Sequence, residues 1–260
     1  MKIVVLIKQV PDTYSERRLS ASDFTLDRDS ADAVLDEINE RAVEAALQLQ
    51  EAHGGEVTVV CMGPERATDA IRKALSMGAD GAVHLTDPAL RGSCAVQTAR
   101  ALAKAIGTVG EYDLIIAGDE ATDGTSGAVP AMLAELLGLP QLTRARTLQT
   151  DGTRVTIERE TDDGISTVTA ALPAVVSVNE KINEPRYPSF KGIMAAKKKP
   201  VTTLALADAG IDPAEVGLDN ALSRVLEVVP RPARTAGTKV TDDGNGGLRV
   251  AEYLVAQKLV

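Results

Sequence analysis

The stretch GDEATDGTSG, residues 118–127, has the composition of a loop that holds an anion. Gly118, Gly124 and Gly127 let backbone approach a ligand closely, and Thr122, Thr125 and Ser126 add hydroxyl donors beside Ala121 and Asp123. The loop follows the apolar run LIIAG (114–118) and precedes a helical segment, so its amides stand at a helix N-terminus, where the dipole favours a phosphate. It has neither the GK[ST] ending of a Walker loop nor the GxGxxG dinucleotide fingerprint. The competing reading is a polar strand-to-helix turn closed by a serine cap.

Two more segments lie just past strand candidates, MGP at 62–64 and LDEINERA at 35–42. Asp36 and Asn39 suit a ribose or a base, and Met62 suits packing on a purine. The same residues also read as an N-cap aspartate with a capping-box asparagine and a core methionine. No arrangement for catalysis stands out. His53 sits beside a Gly-Gly turn and His84 within a strand, neither near a triad-like set of residues. Cys61 ends a strand and Cys94 begins a helix, and both are expected to be structural thiols. Carboxylates are plentiful, but none is expected in an apolar setting that would tune its pKa, and no metal-ligand spacing occurs.

Residues 179–199, NEKINEPRYPSFKGIMAAKKK, are of another kind. Tyr187 and Phe190 stand among Pro188, Ser189 and Lys191 without a helical or strand pattern of partners. That fits an apolar-tipped docking loop, and equally a loop folded back on the core. The lysines at 197–199 read as solvated surface that steers at long range.

These residues need a scaffold, and the rest of the chain supplies one. Short apolar runs at 3–7, 57–61, 81–85 and 114–118 alternate with helical periods at 36–52, from Pro64 to Met77, and at 93–106. In the first of these helices Ile38, Ala42, Ala45, Ala46 and Leu49 form the inner stripe, with Glu40, Arg41, Glu44 and Gln48 expected outside. A further helix follows Gly127 and ends at Gly138. Residues 153–178 alternate, turn at DDG (162–164) and read as an antiparallel hairpin. Regularity falls away after Asn179, and 208–247 have a composition that builds no core, before a final helix LRVAEYLVAQKLV. The expected fold is α/β, a Rossmann-like, doubly wound, mostly parallel sheet with an antiparallel hairpin and an extended C-terminal arm. The expected division is a nucleotide-binding domain over 1–200 and an arm with its terminal helix over 201–260.

Composition narrows the partners. Aromatics make up 2% of the chain with no Trp, so aliphatic residues must fill the core. The formal charge of −9 repels nucleic acid and anionic membrane. MKIVVLIKQV at the start is too short to span a bilayer and lacks a signal-peptide cleavage pattern, so it reads as a strand, and no membrane insertion is expected. Two cysteines in no disulfide framework fit a reducing compartment, the cytoplasm by default.

Taken together, KQVPD (8–12), INERAVEAAL (38–47), MGPERATDAIRKALSMGAD (62–80), YDLIIAGDEATDG (112–124), LPAVVSVNEKINEPRYPSFKGIMAAKKK (172–199) and ARTAG (233–237) carry a resemblance that runs nearly end to end. The chain resembles the β subunit of electron-transferring flavoproteins, also called the small subunit or, in some bacteria, a Fix-type protein. The resemblance implies a non-catalytic partner of a larger α subunit, which holds most of a shared FAD. That complex carries electrons from acyl-CoA or other flavin dehydrogenases to a membrane quinone oxidoreductase. It implies a structural AMP on Leu6, Asp36 to Asn39, Met62 and Gly118 through Ser126. It also implies a recognition loop over 184–196 with Phe190 at its tip, where the family often has a leucine, flanked by Tyr187 and Ile193. Glu160 matches an acidic position near the flavin side of the subunit interface, and the arm from about 230 matches one that packs on the α chain. The loop at 118–127 departs from the family pattern by being about three residues shorter. Two other readings remain at this point: a bifurcating-type subunit binding a second FAD and NADH, and a stand-alone adenine-nucleotide-binding or hydrolysing protein, although no SGGxDS or Walker motif is present.

Overall fold

A strand buried on both faces needs apolar residues without alternation, and the runs read above have them. In the computed structural model, which describes residues 1–229, 231–233, 237 and 239–260, the chain begins β1 (Lys2–Ile7), β2 (Gln9–Pro11), β3 (Ala33–Leu35), α1 (Glu37–His53) and β4 (Glu56–Met62). It continues α2 (Thr68–Met77), β5 (Gly81–Leu85), α3 (Ala95–Gly107), β6 (Leu114–Gly118), α4 (Val129–Leu137) and β7 (Gln141–Thr150). β8 (Arg154–Thr161), β9 (Gly164–Ala171), β10 (Ala174–Val178), α5 (Phe190–Ala196), β11 (Val201–Leu204) and α6 (Gly246–Ala256) complete it.

One nine-stranded sheet runs in the order β11-β5-β4-β1-β6-β10-β7-β8-β9. Every pairing is parallel except β7 with β8 and β8 with β9. Aliphatic side chains of α1 and α2 pack on one face, with Ile3, Val5, Val57, Val59 and Ile116 beneath them. Those of α3 and α4 pack on the other, over Val4, Leu6, Val60 and Ile115. Each such side chain stabilises the fold by about 1.5–3 kcal/mol relative to an exposed one. The chain therefore moves outward from β1 over one face and returns to β6 over the other. The connections leaving β1 and β6 part at the carboxyl edge, the place where open α/β sheets form a ligand crevice.

The expected fold class holds, and several local expectations are corrected. QLTRARTLQT, read as no element, forms β7. The segment AVVSV, grouped with the hairpin, is a central parallel strand with all five residues buried, so only β8 and β9 form the hairpin. Residues 190–196, read as irregular, form a short helix whose N-cap Ser189 accepts from the Gly192 amide. Glu44, expected outside, is 4% exposed. The chain divides after Leu226 and not after residue 200. β11 joins the sheet edge, and Leu204, Leu206, Ile211 and Val216 are buried in the second core, so this stretch belongs to the first unit. The second unit, 227–260, contains α6, none of whose residues is buried. Residues 234–236 of the ARTAG motif lie outside the described residues. Among the described residues no helix is long and apolar enough to cross a membrane.

Candidate functional site

Asp36 starts α1 as its N-cap and is fully buried. Its Oδ1 accepts from the amides of Ile38 (3.0 Å) and Asn39 (3.2 Å), satisfying donors that a helix start leaves open. Its Oδ2 accepts from the amide (2.7 Å) and the hydroxyl (2.8 Å) of Thr122. One carboxylate thus latches the loop after β6 to the start of α1. Asn39, one turn into the helix, lies so close to Gly118 that a Cβ there would stand 2.6 Å from its Nδ2. Gly118 is glycine for that reason.

The loop keeps donors unspent. Thr125 and Gly124 amides turn back to the Ala121 carbonyl, whereas among the described residues the N–H groups of Asp123, Ser126 and Gly127 have no acceptor. The N-cap of α4 is Ala128, and no side chain accepts from the first turn, so the serine-cap reading does not describe this loop. Thr125 (φ 46°) and Gly127 (φ 60°) adopt left-handed backbone, and Gly124 to Gly127 are exposed. Unspent amides, the hydroxyls of Thr125 and Ser126 and an uncapped helix start form a donor set suited to a phosphate.

Asp123 itself turns inward. Its carboxylate is 2% exposed and accepts from Lys8 Nζ at 2.7 Å and Arg28 Nη2 at 3.0 Å. Burial alone would push this carboxyl up, but the two cations outweigh it and hold it below its ordinary range. Lys8 directly follows β1, so the ion pair spans the two connections that part at the crevice. Lys8 and Arg28 were not singled out from the sequence. A lysine closing a strand of five buried residues was the available signal for the first.

Asp119 was also missed as a perturbed group. It follows β6, is 9% exposed, and its Oδ1 has no hydrogen-bond partner among the described residues. Burial, then the neighbouring Glu120 charge, pushes its carboxyl up to about 6, and Arg144 Nε at 3.8 Å offsets this only in part. The expectation that no carboxylate occupies a pKa-tuning setting is therefore corrected. Arg144 (φ 62°) borders a cleft of about 300 Å³ with Glu160, Thr161, Asn179, Glu180 and Lys181. Glu160 pairs there with Lys181 Nζ at 3.0 Å and Arg146 Nη1 at 3.5 Å, which holds its carboxyl below the ordinary range.

Leu6 and Met62 lie at the carboxyl ends of neighbouring strands, on the side of the second core, Leu6 buried and Met62 partly so. Asp36, Asn39, Gly118 and Thr122 are thus brought together, Asp123 turns away to Lys8 and Arg28, and Leu6 and Met62 share their edge of the sheet. Tyr187 and Phe190 project, 93% and 81% exposed, and Ile193 is exposed one turn on. Cys61 is fully buried with its thiol pushed up to about 12 by burial, which suits a packing role. His84 is buried, its ring bonded to the Gly63 carbonyl at 3.1 Å and its pKa lowered by burial.

The chain matches the electron transfer flavoprotein domain over residues 23–209. It is 64% identical over 263 residues to the electron transfer flavoprotein subunit beta of Mycobacterium leprae (strain TN), covering 99% of each chain. The chain belongs to the electron transfer flavoprotein beta-subunit family. The subunit beta of Mycobacterium tuberculosis (strain H37Rv) is likewise 64% identical over 99% of both chains. That of Megasphaera elsdenii is 35% identical over the whole of each. Full-length coverage means that the crevice, the 184–196 segment and both units all lie within the family alignment. As a beta subunit of this family, the chain is a component of an electron-transfer flavoprotein.

Proposed function

We propose that this chain is the beta subunit of a heterodimeric electron transfer flavoprotein, binds AMP structurally and contributes no catalytic residue. The observation that carries the reading is the loop after β6, which offers unspent amides at an uncapped helix start and is latched to α1 by Asp36. The amides of Asp123, Ser126 and Gly127 and the hydroxyls of Thr125 and Ser126 would hold the phosphate. Gly118, Ala121, Thr122 and Gly124 shape the loop, Asp36 and Asn39 close it against the helix, and Leu6 and Met62 supply an apolar wall. These residues bind and orient; none is placed to move a proton.

FAD, held mainly by the alpha subunit, supplies the redox chemistry when bound. This chain supports it through Glu160 on the flavin side of the interface and through an arm, within 201–260, that packs on the alpha subunit. Acyl-CoA or other flavin dehydrogenases dock on 184–196 through Phe190, Tyr187 and Ile193, and a quinone oxidoreductase of the respiratory chain takes the electrons onward. The setting is cytoplasmic.

Nucleotide extraction from the co-expressed heterodimer tests the reading. We expect one AMP for each FAD. Two FAD would support the bifurcating alternative, and full FAD content with no adenylate would remove the AMP assignment.

A further inference from the structure

Residues 183–186, Asn-Glu-Pro-Arg, offer no apolar side chain of note to bury, yet they are fastened to α1. Arg186 donates to Glu44 from its backbone amide (3.2 Å), Nε (2.7 Å) and Nη2 (3.0 Å). It reaches Glu51 as well, through Nη1 (2.5 Å) and Nη2 (3.2 Å). Gln48 Nε2 adds a bond to Glu44 at 3.0 Å. Asn183 Nδ2 donates to the Arg41 carbonyl at 3.0 Å, and the Arg41 guanidinium returns a bond to the Asn183 carbonyl. Residues 41, 44, 48 and 51 lie along one helical stripe. A carboxylate is rarely buried without a partner of fixed geometry, and Glu44 has one that grips both the backbone and the side chain of residue 186.

The far side of the segment rests on α2. Gly192 approaches the Ser76 carbonyl so closely that a Cβ would collide with it. Arg72 Nη1 donates to the Ala196 carbonyl at 2.6 Å, and Lys199 Nζ to those of Leu75 (3.1 Å) and Gly78 (2.9 Å). Between these anchors stand Tyr187 and Phe190, the projecting aromatics. A tip already fixed at both ends loses little conformational freedom on docking.

We propose that Glu44 and Arg186 are positioning residues of the docking tip: by pinning residue 186 to α1 they hold Tyr187 and Phe190 in the pose that a dehydrogenase receives. The inference rests on the reading of 184–196 as the docking segment. Its test uses the FAD-loaded heterodimer with an acyl-CoA dehydrogenase as electron donor. Steady-state kinetics vary the heterodimer concentration, and hydrogen exchange is followed over 186–193. Phe190→Ala should raise KM about tenfold, as for a hot-spot anchor. Glu44→Gln and Arg186→Lys should each raise KM about threefold to tenfold with kcat and FAD content unchanged, and should speed exchange over 186–193. Phe190→Ala should leave that exchange as it is. An unchanged KM in Phe190→Ala overturns the docking reading. A raised KM in Phe190→Ala with wild-type KM in both clamp variants overturns the positioning inference, as does faster exchange without a KM change. If Glu44→Gln does not assemble, Arg186→Lys decides, since it keeps the charge and loses the fork geometry.

Discussion

Asp119 and Asp123 lie four positions apart and titrate in opposite directions. Asp123 meets two cations and is held down; Asp119 meets burial and a neighbouring acid and is pushed up to about 6. The signs differ for stability. Asp119 retains in the folded state a proton that the unfolded chain releases from about pH 4, so this group lowers stability as pH rises from there to 6, by up to about 3 kcal/mol. Asp123 and Glu44, both depressed, give stability that is present above the unfolded carboxylate range and lost as pH falls through their folded values. Carbon-13 NMR of aspartate-labelled protein should show one resonance titrating near pH 6 and missing from Asp119→Asn. Titration of every aspartate in the ordinary carboxylate range would contradict the burial argument. The sequence displays Asp119 but not its setting, because the groups around it come from β7, at Arg144, and from the end of β10.

Elements were legible where one force dominated. α1, α2 and α3 have a 3.6-residue apolar period with a cap or a glycine stop, and β1, β4, β5 and β6 are unbroken apolar runs. β7 was hidden because Arg144 and Arg146 interrupt its apolar residues, and α5 because Pro188 and Gly192 argue against a helix that Ser189 caps. β10 carried its signal in AVVSV, an apolar run that the alternation beside it obscured. The contact of β6 with α1 gives a prediction at this scale. Gly118→Ala must displace the buried Asn39 amide, because the added carbon would also lie 3.0 Å from Ile38 Cγ2 and 3.2 Å from the Glu120 carbonyl. We expect a loss of about 1–3 kcal/mol in denaturant unfolding and, under the proposed function, lower AMP content after extraction. Wild-type stability would show that the loop relaxes freely.

Over the whole molecule, both hydrophobic cores lie within residues 1–226, and no residue of α6 is buried. A chain ending at Leu226 should therefore keep its far-ultraviolet circular dichroism per residue in the sheet and a cooperative thermal transition, while losing association with the alpha subunit. Loss of the transition would mean that 227–260 stabilise the core after all. The sequence placed this boundary too early because Leu206, Ile211 and Val216 sit singly among alanines, glycines and acidic residues, and only the finished sheet shows the apolar floor that receives them.

A single helix carries two duties. Its first residue is capped by the aspartate that latches the β6 loop, and its outer stripe holds Arg186 through Glu44 and Glu51, about two and four turns further on. Under the proposed function, lesions in the loop and at Phe190 would be separable by phenotype. On the same reading, a substitution on the buried face of that helix, at Val43 or Leu47, would be pleiotropic, impairing ligand retention and client recognition together without touching either.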